Sequence, residues 1–161
     1  MSAPDPRRRH LGGQRWEGVA VEAYKAADEP FRGVTRQRLF GADPGGRSEL
    51  RYFEVEPGGW TTLERHAHVH QVLVLCGHGR ALVGDRLVDL APLDALAVPP
   101  RAWHQLRAGD DEPLGFLCLV DRERDRPERP GAEDLAALRA RPQLAEFVRA
   151  DAGGAPGPQS R

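Results

Sequence analysis

The sequence predicts an all-β fold, an antiparallel β-sandwich or barrel with short helices near its carboxyl end. Glycine and proline are frequent, at 18 and 14 of 161 residues, as is typical of short strands separated by turns. Apolar and polar residues alternate with the period of a strand in segments such as 50–56 and 86–90. Turn signals lie between such segments, for example Asp-Pro-Gly-Gly at 43–46 and Pro-Gly-Gly at 57–59.

The folded part of the chain is expected to span residues 15–121 as one β domain. Residues 1–14 before it are charged and lack periodicity, which is typical of a disordered arm. Within the domain we expect about nine to eleven short strands, paired antiparallel through short loops. In chain order, the segments that predict strands are 16–24, 34–40, 50–56, 60–70, 72–76, 80–83, 86–90, 95–98, 103–107 and 114–120.

Helices are expected only within residues 122–150. This stretch opens with a run of mixed charge, which we interpret as a solvated linker. Apolar residues then recur at helical spacing in 133–139 and 143–150, on either side of Pro142, and predict two short helices lying against the sandwich. The tail at 151–161 is rich in glycine and proline and is expected to be disordered.

Composition narrows the classes of partner and compartment. Lys and Arg number 23 against 24 Asp and Glu, so no basic excess favours nucleic acid or an anionic membrane surface. No apolar run approaches the ~20 residues that span a bilayer, and the amino-terminal arm lacks the pattern of a secretory signal. Cys76 and Cys118 lie in apolar runs and are interpreted as reduced core residues, although spacing alone does not exclude a disulfide between them. A soluble protein of the cytoplasm is predicted.

Three histidines, His66, His68 and His70, alternate along one predicted strand. Because successive side chains of a strand point to opposite faces, all three imidazoles would project to the same face. Imidazole is a common ligand of transition metals, and converging imidazoles favour a shared ion. The three histidines by themselves would also fit a solvated strand that is rich in histidine and holds no metal.

His104 is the fourth candidate ligand. It opens a predicted strand just after a Pro-Pro turn, and in an antiparallel barrel this strand can return beside the first. The sequence therefore predicts a site for Fe, Mn, Ni, Cu or Zn formed by His66, His68, His70 and His104. His78 lies in a Gly-His-Gly turn and is expected to face solvent.

The predicted metal site has a largely apolar wall. Residues that share the strand parity of the histidines, or flank them, are expected to line a pocket: Val72, Val74, Cys76, Trp103 and Leu106. Such a wall suits a small, partly apolar molecule. For Cys76 and Trp103, plain packing in the core is the competing interpretation. No catalytic residue is assigned, and Glu64, just before the first ligand, is a weak candidate.

Gly58 and Gly59 precede His66 and His68, and Gly77 follows them. A second group of residues consists of Pro92, Asp94, Pro99 and His104. Together these two groups resemble the two motifs of the cupin superfamily, over about residues 50–120. The sequence departs from the family pattern at His70, which stands where Glu is usual, and at Leu93 and Arg101, which replace glycines. Ala108 stands where an Asn is common.

The resemblance implies a jelly-roll barrel that holds a metal through four histidines. Four neutral ligands leave a divalent ion its full charge, and an octahedral ion would keep two open positions. By resemblance, the function would be dioxygenase-type oxidation or cleavage of a small chelating molecule. The alternatives are a non-catalytic module that binds a metal or small ligand, as a sensor or storage protein, and a domain stabilised by structural Zn.

A homodimer is also expected, because cupins commonly pair an amino-terminal strand with a partner's sheet. Both faces of the segment 114–120 are apolar. Two buried faces would suit a strand that contacts the core on one side and another subunit on the other.

Overall fold

The computed structural model describes residues 5–151, which form eleven strands and two helices. The strands are β1 (His10–Gly12), β2 (Arg15–Trp16), β3 (Glu22–Ala23), β4 (Arg32–Phe40), β5 (Ser48–Trp60), β6 (His70–Cys76), β7 (Gly79–Val83), β8 (Arg86–Leu90), β9 (Ala95–Val98), β10 (His104–Ala108) and β11 (Leu114–Asp121). The helices are α1 (Ala132–Arg139) and α2 (Pro142–Phe147). The predicted all-β class with short carboxyl-terminal helices is confirmed.

Nine of these strands, β3 to β11, form one curled antiparallel sheet. Its hydrogen-bonded path runs β8-β7-β10-β5-β11-β6-β9, while β4 pairs with β5 and β3 pairs with β4. The long strand β5 is the centre of this arrangement, since β4 and β11 both pair with its middle part and β10 pairs with its end at Trp60. β1 and β2 form a separate two-stranded ribbon.

The inner face of the curled sheet holds the main apolar core. Phe53 on β5 and Phe116 on β11 stack with their ring centroids 5.5 Å apart, and Tyr24 meets Phe53 edge-on at 5.7 Å. The buried residues of this core are Val34, Phe53, Val55, Val72, Val74, Ala81, Leu90, Leu106, Ala108, Leu114, Phe116, Cys118 and Val120. They alternate with more exposed residues along most strands, as the pleat of a half-buried sheet requires.

Helices α1 and α2 cover a second, smaller apolar cluster. Its buried members are Leu63, Leu82, Leu138, Leu144, Phe147 and Val148. The buried Gln105 on β10 anchors this region, because its amide nitrogen donates to the carbonyls of Thr61 (2.8 Å) and Arg149 (2.7 Å). Its amide oxygen accepts the backbone N–H of Arg149 at 2.9 Å. Neither described helix is long and apolar enough to cross a membrane.

The amino-terminal arm differs from the expected disorder over part of its length. β1 lies within the predicted arm 1–14 and pairs with β2 just after it, and the side-chain amide of Gln37 donates to the carbonyl of Gln14 at 2.9 Å. Residues 1–4 and 152–161, which include most of the predicted tail, lie outside the described residues.

The Pro-Gly-Gly sequence at 57–59 was expected to end a strand, yet β5 continues through it to Trp60. The pairing with β4 shifts in register here, since Val34 opposes Val55 whereas Arg32 opposes Trp60. The extra residues form a bulge, and Gly58 supplies a φ of +71° that most side chains would disfavour.

Candidate metal centre

The four predicted ligands lie near one another, although they do not share a strand. His66 and His68 lie in the loop between β5 and β6, His70 opens β6, and His104 opens β10. A short antiparallel bridge brings the loop to β10, with Glu64 and His104 exchanging backbone hydrogen bonds of 2.9 and 3.2 Å. The predicted convergence therefore arises from a loop folded against two strand ends, and not from the alternation of a single strand.

The tightest group consists of His66, His70 and His104. Each offers one ring nitrogen, and the three nitrogens lie within 4.8 Å of one another. The ring centroids are separated by 4.4 Å for His66 and His70, 4.7 Å for His66 and His104, and 5.3 Å for His70 and His104. This group could hold a metal ion.

Hydrogen bonds fix the orientation of two of these rings. His66 Nδ1 lies 2.7 Å from the carbonyl oxygen of His68, and His104 Nδ1 lies 3.0 Å from that of Ala102. Because a carbonyl oxygen only accepts, each Nδ1 carries the proton and each Nε2 keeps its lone pair. His66 Nε2 is buried and has no hydrogen-bond partner among the described residues. An unpartnered, buried lone pair beside two other imidazoles fits a metal ligand.

The electrostatics of the site favour neutral imidazoles, the form that binds metals. Burial, followed by the neighbouring rings of His104 and His68, lowers the pKa of His66 to about 4. Burial, followed by the rings of His104 and His66, holds the pKa of His70 far below its ordinary value. Burial also lowers the pKa of His104. All three rings are thus uncharged near neutral pH, and each can bind a metal through the lone pair of a ring nitrogen.

His68 lies beside this group and is held by an aspartate. Its ring stacks on that of His66 with centroids 3.6 Å apart, and its Nε2 lies 3.3 Å from His70 Nε2. Its Nδ1 donates to Asp125 at 2.7 Å, which leaves Nε2 as the lone-pair nitrogen. The role of His68 as a fourth ligand stays a prediction.

Asp125 belongs to the segment that we interpreted as a solvated linker, and its carboxylate instead fixes the histidine loop. It accepts the backbone N–H groups of Ala67 (2.7 Å) and His68 (3.1 Å) as well as the His68 ring. The Ala67 N–H and the His68 ring hold the pKa of Asp125 well below its usual range. A carboxylate bound to the outer nitrogen of a candidate ligand is typical of metal centres.

Replacing Asp125 with asparagine is expected to weaken metal binding by about tenfold to a hundredfold, because a neutral amide no longer polarises the His68 N–H. Competition with a metal-responsive fluorescent chelator measures this affinity. Asp89→Asn is the matched control, since Asp89 on the edge strand β8 is 92% exposed in its side chain and pairs with Arg80 on β7. Equal affinities for the two variants would show that Asp125 has no part in the site.

A cavity of about 200 Å³ opens beside the histidines, with His68, His70 and His104 in its wall. Of the residues predicted to line a pocket, Val72 and Leu106 do so, together with Phe116. Cys118, which the sequence assigned to the core, also lines the cavity. Cys76 and Cys118 are both free thiols.

The other three predicted pocket residues lie elsewhere. A register shift between β6 and β11 at Gly115 and Phe116 interrupts the strand parity before Cys76, whose sulfur lies 3.8 Å from the Tyr52 hydroxyl. Val74 is fully buried in the main core. Trp103 precedes His104 and packs against the second apolar cluster, with the Arg65 guanidinium 4.4 Å from its ring centroid.

Glu64, the weak catalytic candidate, lines the cavity and is buried against Lys25. The Lys25 ammonium donates to the Glu64 carboxylate, and both residues belong to the cavity wall. Lys25 directly follows the predicted strand 16–24, and no local pattern distinguishes it from a solvated lysine.

Three arginines in the cavity wall were also missed: Arg36, Arg51 and Arg124. Arginines on half-buried strands and in charged linkers usually face solvent, and these resemble their solvated neighbours in sequence. His78 is exposed and pairs with Glu112 at 2.6 Å, in agreement with its expected solvent-facing position.

Comparison with known proteins identifies the family. A family profile described as the cupin domain matches residues 51–120. A curated relative from Rhodospirillum rubrum, named 1-methylthio-D-xylulose 5-phosphate methylsulfurylase, is 52% identical over 140 residues, which cover 86% of this chain and 89% of the relative.

Solved structures of similar sequence have the same fold. A cupin 2 conserved barrel domain protein from Rhodopseudomonas palustris is 51% identical with a TM-score of 0.84, and the match covers 89% of this chain and 99% of that one. A cupin-2 domain protein from Rhodospirillum rubrum is 51% identical with a TM-score of 0.80, over 88% of this chain and 95% of that one. On the fold, the matched profile and these relatives, the chain belongs to the cupin superfamily.

Proposed function

We propose that this chain is a metal-dependent enzyme that acts on a methylthio-substituted sugar phosphate, in the manner of a methylsulfurylase. The observation that carries the proposal is the group of His66, His70 and His104 beside a cavity of small-molecule size. The curated relative at 52% identity carries that activity in its name and matches 86% of this chain, so it supports the reaction class.

A divalent metal held by His66, His70 and His104 would supply Lewis acidity toward a carbonyl or hydroxyl oxygen of the substrate. The chain's own residues would surround the substrate and transfer protons. Val72, Leu106 and Phe116 form an apolar wall that can exclude water around a thioether. The identity of the metal stays open among Fe, Mn, Ni, Cu and Zn.

Glu64 and Lys25 are our candidates for moving a proton. Their side chains are largely buried and paired, with side-chain exposures of 7% and 22%. The backbone of Glu64 is bonded to that of His104, so the pair is fixed relative to a candidate ligand. A substrate that displaces the Lys25 ammonium would leave the Glu64 carboxylate facing the cavity as a base.

The test is turnover of 1-methylthio-D-xylulose 5-phosphate by tag-free protein loaded with Mn(II) or Fe(II). Mass spectrometry follows the sugar phosphate and the sulfur-containing products, with and without an added thiol as sulfur acceptor. We expect loss of the methylthio group that depends on the metal and falls at least about a hundredfold in His104→Gln. Unchanged substrate with metal-loaded wild-type protein would refute the proposal.

The dioxygenase-type reaction implied by the family resemblance stays a prediction. An oxygen electrode in the same assay separates it from methylthio transfer, because only an oxygenase would consume dioxygen with the substrate. Binding of the substrate without any product would favour the non-catalytic alternative. The homodimer and the cytoplasmic location also stay predictions.

A further inference from the structure

The cavity has a cationic wall, formed by Arg36, Arg51 and Arg124. Arg51 and Arg124 approach the same carboxylate oxygen of Glu49, each at 3.6 Å, and Arg38 approaches it at 3.7 Å. None of these three contacts is a hydrogen bond, and that oxygen has no hydrogen-bond partner in the part of the chain that the structure describes. Three guanidinium groups therefore share one carboxylate, which leaves an excess of positive charge.

The remaining charges at the cavity do not remove this excess. Arg36 pairs with Glu22 at 3.0 Å, and Lys25 pairs with Glu64. Each of these two pairs is neutral as a whole. The excess positive charge consequently lies with the arginines around Glu49, and an anion is the ligand that would neutralise it.

Arg51 is the most constrained member of the cationic wall. Its side chain is only 9% exposed, its guanidinium lies 4.9 Å from the Phe53 ring centroid, and one terminal nitrogen is 3.7 Å from the Cys118 sulfur. Its Nε has no hydrogen-bond partner among the described residues. Burying a guanidinium without full pairing is costly, so such a group is typical of a binding site that an anion completes.

The cationic wall and the histidines line the same cavity, and Arg51 and His70 lie on strands of one sheet. His70 and Val72 share one face of β6, Val72 pairs with Cys118 on β11, and Cys118 pairs with Arg51 on β5. With strands about 4.8 Å apart, the backbone of Arg51 lies roughly 10 Å across the sheet from that of Val72. Since both side chains and His70 line one cavity, a single small ligand can contact the cationic wall and the histidines together.

We propose that the cationic wall binds the phosphate group of the substrate, with Arg51 and Arg124 as its main ligands and Arg36 at its edge. The phosphate would then lie at one end of the cavity and the methylthio end would reach the histidines. Guanidinium groups match phosphate oxygens through paired, charge-assisted hydrogen bonds. This inference rests on the proposed function for the identity of the substrate, whereas the anion site itself rests on the charges described above.

The test uses the full, metal-loaded chain and two probes, inorganic phosphate by calorimetry and the methylthio sugar phosphate by kinetics. We expect Arg124→Gln and Arg51→Lys to weaken phosphate binding and to raise KM by about tenfold to a hundredfold. Metal content and turnover of a dephosphorylated substrate should change little. Arg86→Gln is the control, because Arg86 is exposed on β8, away from the cavity, and carries the same charge.

Thermal unfolding of each variant shows whether weaker phosphate binding comes from a lost ligand or from a destabilised fold. Arg124 has a side-chain exposure of 24%, so its replacement should disturb the fold less than that of Arg51. If both variants bound inorganic phosphate with the wild-type affinity, the phosphate site would be overturned, even if turnover confirms the proposed function. Phosphate binding that is lost in both variants supports the site, even if the methylthio sugar phosphate proves not to be the substrate.

Discussion

Replacing His66 or His104 with glutamine is expected to abolish stoichiometric metal binding. Each change removes one of three ring nitrogens that lie within 4.8 Å of one another. Loss of an outer-shell partner alone costs up to about a hundredfold in metal affinity, and loss of a ligand itself should cost more. Elemental analysis of protein expressed without a histidine tag measures the effect directly, as moles of metal per chain.

His78→Gln is the matched control for this experiment. It removes an imidazole that is 65% exposed and that pairs with Glu112, and neither residue belongs to the cavity wall. The control should keep its metal, which separates the centre from weak binding to any surface histidine. A metal content that stays at the wild-type level in both His66→Gln and His104→Gln would exclude the site.

Gly77→Ala is expected to destabilise the fold by about 3 kcal/mol or more, through two effects that add. Gly77 has a φ of +76°, which an alanine adopts only with strain. A Cβ at this position would also lie 1.8 Å from the carbonyl oxygen of Pro113 and 3.1 Å from the Cα of Leu114, both of them backbone atoms that cannot swing aside. Urea unfolding measures the change in the free energy of unfolding.

Gly84→Ala separates the two effects. Gly84 has a similar φ of +64°, but an added Cβ would meet nothing within 4 Å. We expect this control to lose only about 1 kcal/mol, the cost of the backbone conformation alone. If both variants lost the same stability, the close approach of Pro113 to Gly77 would not be a constraint on the fold.

Much of the fold and of the histidine cluster could be predicted from local patterns. Alternation and turn residues indicated the strands, and the separation of His104 from His70 suited an antiparallel return. The loop that carries His66 and His68 was predicted as a strand, because two residues at a spacing of two give the same pattern in either conformation. The ring nitrogens converge nevertheless, since the bridge between Glu64 and His104 closes the loop.

The polar wall of the cavity could not be predicted in this way. Asp125 and Arg124 come from a run of alternating charges, and such runs usually face solvent. Their contacts depend on how the chain after β11 folds back over the cavity, which no local pattern encodes. Cys76 shows the opposite kind of difference, a predicted pocket residue that does not line the cavity. A register shift at Gly115 interrupts the alternation along β6, so Cys76 does not share the face of Val72 as its spacing predicts.

The measurement that tests the metal centre most directly is anomalous scattering from crystals of the tag-free protein loaded with Mn(II). We predict one strong peak at coordination distance from the ring nitrogens of His66, His70 and His104, and the same map shows whether His68 Nε2 also coordinates the ion. A peak elsewhere, or none among these three nitrogens at full metal loading, would contradict the account.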